Sequence, residues 1–461
     1  MPLSQLDIGH YQPAEYISTQ FDPALYKSHS TGIQRSPNAL KSIFQNHLPA
    51  FSEKYSQSFG TEHGRLRLER IEHFTESFIT CGDYTKGIAR IQCTNPECKH
   101  EIFRPFSCKR FYLCPSCSQK RAILFGEHIS DEVLLRLPHR HFVFAFPKML
   151  RPYFRHNKKV LSEIARLIND MIVSYYSEMT GKKIRTGIVL AFQSFGDFLR
   201  YNPHYHSLIL EGGFDEAGNF IHIPILDLTQ MKECFRRLVV DHFKDSGLLA
   251  EKMAQNLLSW KHSGFNINNS IRLMGHDNKA RESLAQYIAR CPISLKKIIY
   301  ESFKGKVIFK TKYNAYFKEN LKVYDPVEFI GLATQHIPVP RVRLIRYFGL
   351  YSSKSRGKWH KWDHIIKHAP EGWEKQNAME SQEVTAEFED MCDPDAFSHK
   401  KSKASWARLI AKIYEVDPLI CPKCSSEMRV IAIITSEYEV IKILRHLAKT
   451  GKSPPGILGV A

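Results

Sequence analysis

Between Pro203 and the Gly212-Gly213 pair runs His204-Tyr205-His206-Ser207-Leu208-Ile209-Leu210, which reads as a β-strand opened by a proline and closed by a glycine turn. Successive strand side chains point to opposite faces. His204 and His206 therefore emerge together, while Tyr205 turns into the apolar layer beneath. Two imidazoles on one face are half of a divalent-metal site. A later helical stretch, Leu284-Ala285-Gln286-Tyr287-Ile288-Ala289-Arg290-Cys291-Pro292, adds a tyrosine. The chain must bring these two elements together if the pair is to have chemistry.

Charge narrows the partner. The 461 residues carry 65 Lys+Arg against 47 Asp+Glu, a net charge of +18, and such an excess favours a polyanion through counterion release. The length suits two to four domains. No apolar run approaches the ~18–20 residues of a membrane span, and no signal-peptide core opens the chain, so a cytoplasmic, nucleoid-associated protein with no membrane partner is expected. Eleven cysteines, most at short spacings, suit metal binding in a reducing compartment better than a disulfide framework.

Six of them, Cys81, Cys93, Cys98, Cys108, Cys114 and Cys117, fall in one stretch. Cys93-x4-Cys98 and Cys114-Pro-Ser-Cys117 are two knuckles, each able to give a thiolate pair to one tetrahedral Zn²⁺. Cys81 and Cys108 read equally as ligands of a second or alternative site and as buried thiols. Lys109 and Arg110, with Phe106, Phe111 and Tyr112, look like a DNA-facing surface.

From Pro138 the pattern turns to strands and amphipathic helices: strands at 141–146, 186–195 and 204–210, helices at 160–179, 229–242, 248–260 and 279–290. That order predicts an α+β fold, an antiparallel ferredoxin-like palm with helices on one face. His139-Arg140-His141 is a second His-x-His at a strand entrance, taken as structural or phosphate-contacting. Gln193 and Asp197 are four apart and share a face on an uninterrupted strand. Either can complete the ligands of a hard ion such as Mg²⁺ or Mn²⁺, and Asp197 is preferred for its anionic oxygen. Tyr287 lies about 60° of helical rotation from the centre of its apolar stripe, and Arg290 is placed beside its hydroxyl.

Beyond, the basic and aromatic residues between 341 and 362, including Arg346, Tyr347, Tyr351, Arg356 and Trp359, suit phosphates and stacked bases. Residues 370–400 read as a linker and 405–416 as a helix. Cys421-Pro422-Lys423-Cys424 offers two thiolates, to be completed by Cys392, His399 or His446, and otherwise a degenerate remnant; the remnant is favoured.

His204-Tyr205-His206 resembles the His-hydrophobic-His motif of the HUH single-strand endonucleases. The cysteine-rich segment and the tyrosine before a proline resemble their rolling-circle transposases of the insertion-sequence common-region (ISCR) kind. Cys81-Gly82-Asp83, Phe106-Ser107-Cys108-Lys109, Phe195-Gly196-Asp197-Phe198-Leu199, Tyr287-Ile288-Ala289-Arg290 and Arg346-Tyr347-Phe348-Gly349 share that likeness, over roughly residues 60 to 450. Residues 1–60 read as a polar arm and a helix, and the resemblance implies a zinc-binding DNA-binding domain at 61–125, an HUH catalytic domain at 126–312 and a basic C-terminal DNA-binding region at 313–461. It implies attack by Tyr287 on single-stranded DNA at element ends, assisted by Mg²⁺ or Mn²⁺, giving a 5′-phosphotyrosine. Two-tyrosine relatives place a second tyrosine where this chain has Ser283, so the single-tyrosine branch is the better match. Homo-oligomerisation is left open. The rivals are a rolling-circle replication initiator, a non-catalytic zinc DNA-binding protein and a small-molecule metallohydrolase.

Overall fold

The computed structural model describes residues 38–60, 67–225, 227–261, 263–314, 318–373 and 420–449. The expected helix at 405–416 and most of the expected linker lie outside them. Two compact units divide the chain: one of residues 122–292 and 335–393, the other of residues 1–121, 293–334 and 394–461. No helix among the described residues is long and apolar enough to cross a membrane.

In the first unit, strands β1 (His139–Ala145), β2 (Gly187–Phe195), β3 (Tyr201–Leu210), β4 (Asn266–Leu273) and β5 (Ile345–Gly349) form one sheet in the order β5-β2-β3-β1-β4. Every neighbouring pair is antiparallel. Helix α1 (Lys158–Thr180) connects β1 to β2, and α2 (Thr229–Asp245) comes before β4. The Asn157 side chain caps the start of α1, and Gly181, in the left-handed region at φ 63°, ends it.

Strand alternation decides what each face buries. Phe142, Phe144, Ile188, Leu190, Tyr205 and Ile209 leave one face and pack with Ile164, Ile168 and Ile172 of α1 and Phe235 and Val239 of α2. Val189, Ala191, Leu208 and Leu210 leave the other face and pack with Leu284, Ala285 and Ile288 of helix α3 (Asn278–Ile288). Helices thus cover both faces, not one as the sequence suggested. The reason is legible in β3, whose two parities are both apolar after Ser207, so neither side can be left to water.

Helix α3 begins where the Asp277 carboxylate accepts the Ala280 N–H at 2.9 Å. Its Arg281 is fully buried. The guanidinium donates to the carbonyls of Gly275 at 2.9 Å and Leu135 at 3.3 Å, and also to that of Leu134. These carbonyls lie on segments without regular pairing, so the arginine satisfies backbone that the sheet cannot. Gly126 marks a second fastening: a Cβ there would sit 2.9 Å from the Glu282 carbonyl oxygen of α3.

In the other unit, helices Ala39–Ser58 and Leu68–Ile79 meet through Phe44 and Phe78, whose ring centroids are 5.8 Å apart. The hairpin Ile88–Cys93 and Glu101–Pro105 takes Met428–Ile434 as a third, antiparallel strand. A second sheet is the meander Ile298–Glu301, Lys306–Asn314 and Glu319–Tyr324.

Replacing Arg281 by methionine keeps the volume and orphans the buried carbonyls of Gly275 and Leu134, while that of Leu135 keeps the Leu137 N–H. The expected loss is about 2–4 kcal/mol. Urea unfolding followed by the fluorescence of buried Trp359 checks it, and a loss below about 1 kcal/mol would show that water or backbone movement satisfies those carbonyls.

Candidate active site

His204 and His206 emerge from β3 on the face covered by α3, as the alternation requires. Both are buried. The His204 Nδ1 lies 2.7 Å from the Asn202 carbonyl oxygen. A carbonyl only accepts, so that nitrogen carries the hydrogen and Nε2 presents a lone pair. Facing it at 3.0 Å is Nε2 of His206, whose Nδ1 lies 2.9 Å from Nε2 of His141. The His141 and His206 rings stack with centroids 5.1 Å apart. His141, read from sequence as structural or phosphate-contacting, is therefore the third member of this group. His139 is the structural one: it is buried, bonded to the Leu137 carbonyl at 2.8 Å and to the Tyr351 hydroxyl.

Burial keeps these rings neutral. It pushes His141 down to about 3 and His204 down to about 4, with the cation of Arg290 adding to the second shift. His206 falls well below the usual imidazole range for the same reason, reinforced by His204 and His141.

Tyr287 sits in the last turn of α3, its ring edge-on to His206 at 5.5 Å between centroids. Arg290 donates to the Tyr287 hydroxyl at 3.2 Å and stacks over the phenol ring at 4.1 Å. Gln193 ties this turn to the sheet. Its amide nitrogen donates to the Ile288 carbonyl at 2.7 Å and reaches the Tyr287 carbonyl at 3.5 Å, capping a helix end that would otherwise expose bare carbonyls. That orientation turns Oε1 the other way. The oxygen is buried and has no hydrogen-bond partner among the described residues. Gln193 also stands directly opposite His204 across β2 and β3, so their side chains leave the sheet on one face.

Asp197 is placed differently. Strand β2 ends at Phe195, its register with β3 already broken after Gln193, and Asp197 opens a short turn where it is exposed. The uninterrupted strand on which the two residues would share a face does not exist. Phe198 and Leu199 in that turn adopt φ 56° and 57° and are buried, which ends the strand geometry.

The remaining expected contacts scatter. Arg346 points from β5 to the α1 side, where it donates to the Ser162 hydroxyl at 2.7 Å, while Tyr347 faces the α3 side with Arg356 5.5 Å above its ring. Tyr351 and Trp359, read as rings for stacking bases, are fully buried core. Lys109 is exposed, and Arg110 lies 2.6 Å from His73 and stacks over Phe74.

The cysteines form two groups, each of four. Cys81, Cys108, Cys114 and Cys117 make one; Cys93 and Cys98 join Cys421 and Cys424 in the other. Cys93-x4-Cys98 and Cys114-x2-Cys117 therefore do not share a site, and the C-terminal knuckle is no leftover: its partners lie more than three hundred residues earlier. Nothing in the local spacing announces that pairing.

A family model for transposases matches residues 187–358, the stretch that holds Gln193, both histidines, Tyr287 and Arg290. A transposase zinc-binding domain matches residues 43–146, which hold the first six cysteines but not Cys421 or Cys424. Over 320 residues the chain is 27% identical to a transposase for insertion sequence element IS801 from Pseudomonas savastanoi pv. phaseolicola, covering 65% of this chain and 74% of that protein. No solved structure matches.

Buried neutral histidines make this unit acid-labile. Above the unfolded value of about 6.5 they are neutral in both states and stability is full. Below it the unfolded chain takes up protons that the folded chain refuses, so stability is lost as pH falls from about 6.5 toward the folded values. By pH 5 the loss is about 1–2 kcal/mol per histidine. Melting midpoints between pH 7.5 and 5.0 should fall accordingly, and less steeply in His141→Gln; identical slopes for the two proteins would count against it.

Proposed function

We propose that this chain, matched by a transposase zinc-binding domain and a transposase domain, cuts and rejoins single-stranded DNA at element ends with Tyr287 as nucleophile. One observation carries the proposal: the phenol stands beside a buried pair of imidazoles whose Nε2 atoms converge at 3.0 Å. The strand order β4-β1-β3-β2, with α1 crossing between β1 and β2 and α2 before β4, is that of a ferredoxin-like palm. It supports reading this unit as an HUH core to which β5 adds an edge.

The residues fit a divalent cation. With the His206 hydrogen on Nδ1, where His141 accepts it, the Nε2 lone pairs of His204 and His206 both face one point. The orphaned Oε1 of Gln193 supplies an oxygen on the same face. Mg²⁺ or Mn²⁺ bound there would act as a Lewis acid on a phosphate oxygen. We assign Gln193 in preference to Asp197 as the oxygen ligand.

The Tyr287 oxygen then attacks phosphorus in line. The bond from phosphorus to the 3′ oxygen breaks, and that oxygen leaves as a 3′-hydroxyl, taking up a proton as the phenol gives one to water. Arg290, already on the phenol oxygen, offsets its developing negative charge and can pass to the phosphate. The 5′-phosphotyrosine conserves the bond for rejoining to another 3′-hydroxyl. An overall charge of +18 holds the strand through its phosphates.

Incubated with single-stranded DNA bearing the element end and Mn²⁺, the protein should form an adduct that peptide mapping places on Tyr287. Tyr287→Phe should abolish it while leaving DNA affinity within about twofold. An adduct on another residue refutes the role. In the same assay Gln193→Leu should weaken Mn²⁺ binding roughly tenfold or more, whereas Asp197→Asn should change it less than about twofold; the reverse ranking would return the ligand to Asp197.

A further inference from the structure

We propose that Cys93, Cys98, Cys421 and Cys424 hold a second zinc ion, which fastens the C-terminal strand to the cysteine-rich hairpin. The matched zinc-binding domain ends at residue 146, well short of the last two cysteines.

The sulfur spacing is the first argument. Cys93 and Cys424 lie 3.4 Å apart and Cys98 and Cys421 3.7 Å apart. A tetrahedron of thiolates at a Zn–S distance of about 2.3 Å has edges of roughly 3.8 Å, whereas a disulfide would hold its sulfurs near 2.0 Å. The first group has the same spacing, 3.6 to 3.8 Å between Cys81, Cys108, Cys114 and Cys117.

The backbone gives a second, independent argument. Within the first group, Cys81 is followed by Gly82 at φ 75° and Cys108 by Lys109 at φ 53°. In the second, Cys98 is followed by Lys99 at φ 45° and Cys424 by Ser425 at φ 59°. After Cys108 the left-handed residue turns the Arg110 N–H onto the sulfur at 3.5 Å, and after Cys98 and Cys424 the N–H groups of His100 and Ser426 turn to the sulfur likewise. For lysine and serine that conformation costs about 1–2 kcal/mol, which the knuckle recovers only when its thiolate is engaged. Both groups use the same device.

The third argument is size. Around the second group only Ile91, Met428 and the partly buried Ile102 and Val430 form an apolar core. The hairpin and strand meet in register, Cys93 opposite Met428, with the Thr94 N–H donating to the Glu427 carbonyl at 2.8 Å. So small a core needs a closing ion. The helix Glu437–Lys449 then follows, with Val440 and Leu444 packed on Ile88 of the same hairpin.

Metal analysis of the purified full chain should find two zinc ions per molecule, falling to one in Cys421→Ser/Cys424→Ser and to one in Cys81→Ser/Cys114→Ser. Two ions remaining in the Cys421/Cys424 variant, or one in the native chain that this variant retains, would overturn the proposal. Alkylation of the native chain decides the matter even where a variant misfolds. Cys93, Cys98, Cys421 and Cys424 should be protected together and become labelled together as chelator is added, with exposed Cys234 labelled throughout. Labelling of Cys421 and Cys424 while Cys93 and Cys98 stay protected would equally refute it.

Discussion

The Gln193 side-chain amide ties the last turn of the helix that carries Tyr287 to the histidine face. Gln193 donates to the last carbonyls of α3, and its oxygen is left buried without a hydrogen-bond partner among the described residues, on the face it shares with His204. Placement of the Tyr287 turn and orientation of that oxygen are thus one constraint. Arg281 at the other end of the helix fixes the remaining freedom by binding three carbonyls of neighbouring segments.

Much of this was legible in the residues. The period-two pattern of 204–210 placed two imidazoles on one face, and the helix before Pro292 was expected where it lies. What local pattern could not carry was pairing between distant segments. His141 sits at a strand start with an arginine before it, and only the antiparallel register of β1 with β3 delivers it to His206. The position of Asp197 off the strand turned on a break after Phe195, made by two buried residues in left-handed conformation that no propensity would assign there. The second cysteine group was hidden by sequence separation. Tyr351 and Trp359 misled for a different reason: rings amid cations look like a binding surface whether they face water or the core.

The histidine group and the two cysteine groups are opposite in character. The imidazole pair is neutral and buried and offers only two nitrogen donors. The cysteine groups have four ligands each and leave no coordination position open. A cation at the first can be exchanged with substrate and solvent; one at the second or third would belong to the folded backbone.

The interleaving of segments bears on how the molecule is made. The unit that begins before residue 121 is completed by a strand at Met428–Ile434, so its hairpin stays unpaired along one edge while more than three hundred residues are being translated. A ribosome must release almost the entire polypeptide before that sheet can close. Truncated products of frameshift or premature termination therefore lack the finished unit even when every residue around Tyr287 is present.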